Sequence, residues 1–253
     1  MRRLLRGLVA ALLILLAAPA FAEEACPGSR APSIPLPHTK AAVLANQEVT
    51  VIALGSSSTA GWHSSDIGHS YPAVLQSTLG AAIPHSHIAV LNRGVGGQDA
   101  AEMAARLDAD VLAAHPDLVI WQAGANGAMK RMSPEQFRAI MRDGVQRLLD
   151  AKIDVVLMDN QRAPQILASP QHALFDQALA DVANATGTGL FARGALMEQW
   201  RLAGYPYHRF MSDDGVHHND YGYRCVALAL TRSLLDGLGL PHSSDAMASI
   251  QKR

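Results

Sequence analysis

Apolar residues along this chain fall into short continuous runs, separated by longer stretches in which they recur every three or four positions. The runs at 49–54, 88–91, 118–122 and 153–158, with a weaker one at 189–192, have the length and β-branched content of buried strands. The stretches at 71–82, 100–114, 134–151 and 171–186 read as helices, and a last one, about 220–235, closes the series with Gly237 as a stop. Ser133-Pro134-Glu135-Gln136 is a helix start, with Ser133 as N-cap, Pro134 at the first position and Gln136 as a capping-box partner. Strands separated by helices of this length need crossover connections. The pattern therefore predicts an α/β fold: a three-layer, flavodoxin-like sandwich with a central parallel sheet of about five strands and helices on both faces. Near-continuous apolar strands such as Asp154-Val155-Val156-Leu157-Met158 fit burial on both faces.

The first residues lie outside this pattern. Arg2, Arg3 and Arg6 precede an apolar stretch at 8–16, and Ala20-Phe21-Ala22 has the small-x-small form of a cleavage site. Residues 1–22 read as a secretory signal peptide, a retained anchor being the alternative. The stretch is short for a membrane span and no later one is longer, so no stable membrane insertion is expected after cleavage. The expected location is the periplasm or the exterior. Residues 23–47, rich in proline and alanine, read as an extended segment on the surface. The domain proper then spans 48–240, and 241–253 is a tail.

Removal of residues 1–22 leaves roughly 230 residues, enough for one domain with a full core. The whole chain carries 21 basic and 22 acidic residues. Without the three arginines of the leader the balance is about −4, which points away from nucleic acid or an anionic membrane as partner. Cys26 and Cys225 are able to bridge in an oxidising compartment, tying the N-terminal segment to the last helix, or to remain two thiols.

In a parallel sheet, ligands sit beyond the carboxyl ends of the strands. Gly55-Ser56-Ser57-Ser58-Thr59 follows the first strand, and Asn92-Arg93-Gly94-Val95-Gly96-Gly97-Gln98 follows the second. Gly124-Ala125-Asn126-Gly127 follows the third, and Asp213-Asp214-Gly215-Val216-His217-His218 precedes the last helix. A hydroxyl, glycine amides, an amide side chain and an Asp-x-x-His pair are the parts that acyl transfer through a serine requires.

This set resembles the SGNH, or GDSL-type, hydrolases, whose four short blocks supply Ser, Gly, Asn and His in that order. The resemblance places the nucleophile at Ser57, the second-block glycine at Gly97, the asparagine at Asn126, and the Asp-x-x-His pair at Asp214 and His217. It spans 55–223 and departs twice: Ser56 and Gly127 stand where the family has aspartates. It implies His217 as general base, Asp214 as its orienting carboxylate, and an oxyanion site of the Ser57 and Gly97 amides with the Asn126 side chain. Two residues beyond Ser57 stands Thr59, so this is not the Gly-x-Ser-x-Gly elbow of other hydrolases.

The implied function is an exported serine esterase working through an acyl-enzyme, with O-deacetylation of a carbohydrate as the main reading. A short-chain lipid esterase or thioesterase, a glycan O-acetyltransferase, and a non-catalytic glycan-binding module are the alternatives. Trp62 is a candidate for stacking on a sugar; Asp159, Gln161 and Arg162, after the fourth strand, are candidates to line the pocket. Trp121 reads as core. Asp213 and His218 duplicate the chosen pair and read as solvated, and Ser56 and Ser58 read as structural. No cofactor or metal is implied, because His63, His69, His85 and His87 show no metal-ligand spacing. The expected partner is a small-molecule or glycan ester.

Overall fold

A computed structural model describes residues 24–28 and 32–241; the leader at 1–22 and the tail beyond 241 lie outside the described residues. Five parallel strands form one sheet in the order β2-β1-β3-β4-β5: β1 (Val49–Gly55), β2 (Ile88–Gly94), β3 (Leu118–Gln122), β4 (Asp154–Met158) and β5 (Gly189–Phe191). Helices α1 (Pro37–Leu44), α2 (Ser57–Ala60), α3 (Tyr71–Ala82), α4 (Ala100–Ala104), α5 (Leu107–Asp110) and α6 (Ala125–Met129) come in the first half. They are followed by α7 (Pro134–Asp150), α8 (Pro164–Leu167), α9 (His172–Thr186), α10 (Arg193–Leu202) and α11 (Asp220–Leu238).

Alternation along the strands divides the core in two. Val51 and Ala53 of β1, Ile120 of β3 and Val156 of β4 face a layer built from α1, α3, α10 and α11. Ile52, Leu54, Trp121 and Leu157 face the opposite layer, built from α4, α5, α7 and α9. Trp121 lies fully buried there, as expected.

Three sequence expectations need correction. The segment at 23–47 is not extended throughout, because α1 forms within it. Its first turn has no local cap; instead the Asp154 carboxylate, at the start of β4, accepts from the Thr39 amide and hydroxyl, each at 2.8 Å. The stretch at 100–114 is not one helix. Asp99 and Glu102 form a capping box for α4, and the chain breaks at Arg106, whose guanidinium reaches the Gly55 carbonyl at 3.1 Å and the Arg93 carbonyl at 2.8 Å. Those carbonyls belong to the last residue of β1 and the last but one of β2, so Arg106 fastens together the strand ends that lead to Ser57 and Gly97. Finally, Gly237 does not stop α11. Gly239, with φ 72°, is the C-cap, and Gly237 lies inside the helix where a Cβ would stand 1.9 Å from the Ile34 carbonyl oxygen. The start at Ser133 holds in part: its hydroxyl accepts from the Gln136 amide at 3.1 Å.

Cys26 and Cys225 are joined by a disulfide, with Cα atoms 5.3 Å apart, which ties the N-terminal segment to α11. Among the described residues no helix is long and apolar enough to cross a membrane.

Candidate active site

β1 ends at Gly55, and the chain turns at once into the single-turn helix α2 with Ser57 at its first position. The first amides of a helix have no partner within it. Among the described residues the Ser57 amide donates to no protein group, and neither does that of Gly97. Gly97 has φ 79°, a conformation side chains rarely adopt, and the space where a Cβ would stand is open. Asn126, at the start of α6, donates from Nδ2 to the Gln98 carbonyl at 2.8 Å; this fixes one amide hydrogen and leaves the other to point elsewhere. Two free backbone amides and one anchored side-chain amide thus collect beyond the strand ends.

The loop before α11 supplies the rest. His217 Nε2 lies 2.6 Å from Ser57 Oγ, and His217 Nδ1 lies 2.5 Å from Asp214 Oδ2. Asp214 is itself held in place: Oδ1 accepts from the Ser212 hydroxyl at 2.5 Å and from the amides of Val216 and His217 at 2.9 Å each. Partial burial raises its pKa. The Ser212 hydroxyl, the His217 amide and ring and the Val216 amide outweigh that and hold the carboxyl well below its usual range. The group stays ionised, as a partner for an imidazole that gains a proton must.

Trp62 stands beside this chain. Its indole is 54% exposed, lies 5.8 Å from the His217 ring and packs over Gly96, where a Cβ would come within 2.4 Å of the ring. Tyr223 donates its hydroxyl to the Trp62 carbonyl at 2.7 Å. The two departures from the family pattern have separate causes. Ser56 is buried beside Gln122, and a side chain on Gly127 would collide with Phe175 of α9, 2.7 Å from the Cβ position.

The candidates after β4 are engaged by partners within the protein. Gln161 is buried and serves as an internal tie: Nε2 donates to Ser58 Oγ at 3.1 Å and to the Val216 carbonyl at 2.8 Å, while Oε1 accepts from Arg193 at 2.6 Å. Its two donor bonds reach the chain neighbours of Ser57 and His217. Arg162 turns away to pair with Asp176 at 2.7 Å. Asp159 is buried and accepts from the Gly194 amide at 2.9 Å. Burial, with the charge of Asp176, pushes its pKa up to about 7 against the pull of the Gly194 amide and of Arg193 and Arg162. His218 is not solvated. It is fully buried against the Phe210 carbonyl at 2.9 Å, and burial, with the charge of Arg193, brings its pKa down to about 3. Asp213 is exposed, as expected.

The sequence reading missed Arg106 and Ser212, and set His63 aside for want of a metal-ligand spacing. His63 Nε2 lies 3.1 Å from Asp214 Oδ2, so one carboxylate oxygen faces two imidazoles. The only local sign of Arg106 is an arginine where helical periodicity continues.

A Ser-His-Asp chain at the carboxyl edge of a parallel five-stranded sheet, with a glycine amide and an asparagine in front of it, defines a hydrolase of the SGNH/GDSL type. The sequence model of the Non-GDSL lipase-like family matches residues 25–240. The chain belongs to that family. No sequence among curated proteins matches the chain. Among solved structures it is similar to a two-domain esterase active on acetylated mannans, co-crystallised with mannopentaose, at 22% identity and a TM-score of 0.70. That match takes in 83% of this chain, which spans about half (56%) of the other. It is also similar to an acetylxylan esterase from Geobacillus stearothermophilus, at 19% identity and TM-score 0.62, over 76% of this chain and 95% of the other. A lipase/acylhydrolase from Enterococcus faecalis matches at 21% and 0.61, over 76% and 97%. These likenesses establish the shared fold.

Proposed function

We propose that the protein is an exported esterase that removes acetyl groups from carbohydrate hydroxyls, with Ser57 as nucleophile, His217 as base and Asp214 as its orienting carboxylate. The observation that carries the chemistry is the continuous Ser57–His217–Asp214 chain, at 2.6 and 2.5 Å, beside amides that have no other partner. Ser57 Oγ attacks the acyl carbon as His217 Nε2 takes its proton. The carbonyl electrons move onto oxygen, facing the Ser57 and Gly97 amides and the free Asn126 hydrogen. Collapse expels the sugar hydroxyl, which takes the proton back from His217. Water then repeats the sequence on the acyl-enzyme, releasing acetate.

Support for the sugar comes from Trp62, an exposed aromatic face beside the base. The acetylmannan- and acetylxylan-active structures of the same fold point the same way. The apolar cavity lined by Leu36, Val43, Val49, Leu79, Leu118 and Leu238 lies at the amino ends of β1 and β3, the opposite edge of the sheet from Ser57. It therefore offers a long acyl chain no binding place. Export is supported by the leader-like residues 1–22 and by the disulfide, which persists in oxidising compartments.

The test is hydrolysis of p-nitrophenyl acetate, butyrate and octanoate by the mature protein and Ser57→Ala, with acetate release from acetylated xylan and mannan oligosaccharides alongside. Rates that fall steeply with chain length, vanish in the variant and extend to the glycans support the reading. Equal rates on octanoate move it to a lipid esterase. Acetyl transfer to an added sugar without free acetate makes it a transferase, and binding without turnover makes it a glycan-binding module.

A further inference from the structure

We propose that His63, Asp214 and His217 also form a binding site for a divalent cation of the zinc class, and that this ion switches the esterase off by capturing the base. The inference rests on His217 being that base. His63 Nε2, Asp214 Oδ2 and His217 Nδ1 all lie within 4.8 Å of one another. Both ring nitrogens face the same oxygen, and the rings are nearly parallel, 13° apart with centroids at 5.2 Å. Two imidazoles and one carboxylate suit zinc, leaving the fourth tetrahedral position for water. Zinc bonds of about 2.0–2.1 Å set the ligand atoms roughly 3.3 Å apart, so the Oδ2–Nδ1 separation has to open by under about 1 Å.

His63 is what makes this a site and not only a triad. It follows α2 closely, so one short segment delivers both the nucleophile and the extra ligand. Its backbone has φ 65°, in the left-handed region that few non-glycine residues occupy, a conformation the surrounding structure must enforce. Its side chain is 46% exposed, which gives an ion a path from solvent to a base that is itself buried. The three ligands stand at 63, 214 and 217, a spacing that no local metal motif shows.

Binding has a defined proton balance. His217 moves its one ring proton from Nδ1 to Nε2, by exchange with water, and gives the Nδ1 lone pair to the metal. That proton then sits on Nε2, 2.6 Å from Ser57 Oγ, where the lone pair that accepts the serine proton is needed. His63 shifts its proton to Nδ1 and coordinates through Nε2. Both imidazoles bind as neutral ligands, no net proton is released, and Ser57 has no base.

The experiment uses the full mature chain, stripped with a chelator, as wild type, His63→Gln and His87→Gln. The last removes an exposed imidazole paired with Glu48, far along the chain from the site. Zinc chloride is titrated calorimetrically, and p-nitrophenyl acetate hydrolysis is followed over the same range, each variant normalised to its own zinc-free rate. Expected are one ion bound by wild type, inhibition that tracks occupancy and is reversed by chelator, at least about tenfold weaker binding and inhibition in His63→Gln, and no change in His87→Gln. Equal affinity in wild type and His63→Gln, absence of binding, or loss through His87→Gln overturns the site. His63-dependent zinc binding by a protein with no esterase activity keeps the site and rejects the esterase reading; a zinc-insensitive esterase does the reverse.

Discussion

Replacing Gln161 with leucine tests whether the distance between nucleophile and base is set from behind. Gln161 does not face substrate; its amide joins the Ser58 hydroxyl to the Val216 carbonyl, with Arg193 holding its other end. Leucine has nearly the same volume and keeps none of these bonds. The Val216 carbonyl is then left unpaired, costing about 1–3 kcal/mol, and the bond from a charged guanidinium, worth about 1.5–3 kcal/mol, is lost. Arg193 retains the Asp159 carbonyl at 2.8 Å, which limits the damage, so a net loss of about 3–5 kcal/mol is expected. For a domain of this size that lowers Tm by roughly 6–20 °C. The catalytic cost is separate. Once the neighbours of Ser57 and His217 are untied, a displacement near 1 Å of the reacting pair costs about 100-fold. It should fall on kcat with KM nearly unchanged, because the lost contacts do not involve substrate. The assay is kcat and KM on p-nitrophenyl acetate well below the variant's Tm, with thermal melts in parallel. A variant that melts early but keeps kcat within threefold of wild type refutes the reasoning and leaves Gln161 as packing alone.

Three further outcomes are expected. Asn126→Ala removes one oxyanion donor and should lower kcat by about 100- to 1000-fold, with KM changed little; steady-state kinetics decide it. Cys26→Ser opens a ring with a sequence separation of 199 residues and should lower unfolding free energy by about 2–5 kcal/mol in urea titrations, whereas an unchanged midpoint would mean the bridge contributes nothing. Stability against pH should reveal two opposed groups. Asp159, at about 7, takes up its proton in the folded state before the unfolded chain does, so stability is gained as pH falls from about 7 to about 4. His218, at about 3, stays neutral while the unfolded imidazole protonates, so stability is lost as pH falls from about 6.5 to about 3. The two act in opposite directions over overlapping windows. Asp159→Asn should therefore lose stability on acidification faster than wild type; parallel Tm curves would contradict the assignment.

What the sequence made legible was whatever depends on local pattern. β3 and α3 fall at the expected residues because each is a complete apolar run or amphipathic period bounded by turn residues. The four blocks were readable for the same reason: each is a contiguous run at a strand end or helix start. The failures were all long-range. α1 is capped by Asp154, 115 residues later in the chain, while its own flank, with prolines and no capping side chain, reads as a surface strap. The break at Arg106 depends on carbonyls at the ends of two other elements. Gln161, Arg162 and Asp159 follow a strand, where ligand-binding residues gather, yet their partners lie inward, and nothing adjacent in sequence reveals that Arg193 is buried behind them. His63 has no local signature, because its partner arrives from the other end of the chain.

The disulfide sets a limit in time. Cys225 follows Cys26 by 199 positions, so the bond cannot close until all five strands have been synthesised. Everything between them, all five strands and the nucleophile turn included, lies inside the loop that it closes. We expect the bridge to act as a seal on a finished domain and not as a guide to building one. Chains withheld from oxidant should reach the same fold and the same Ser57–His217 pairing, and differ only in how readily they come apart again.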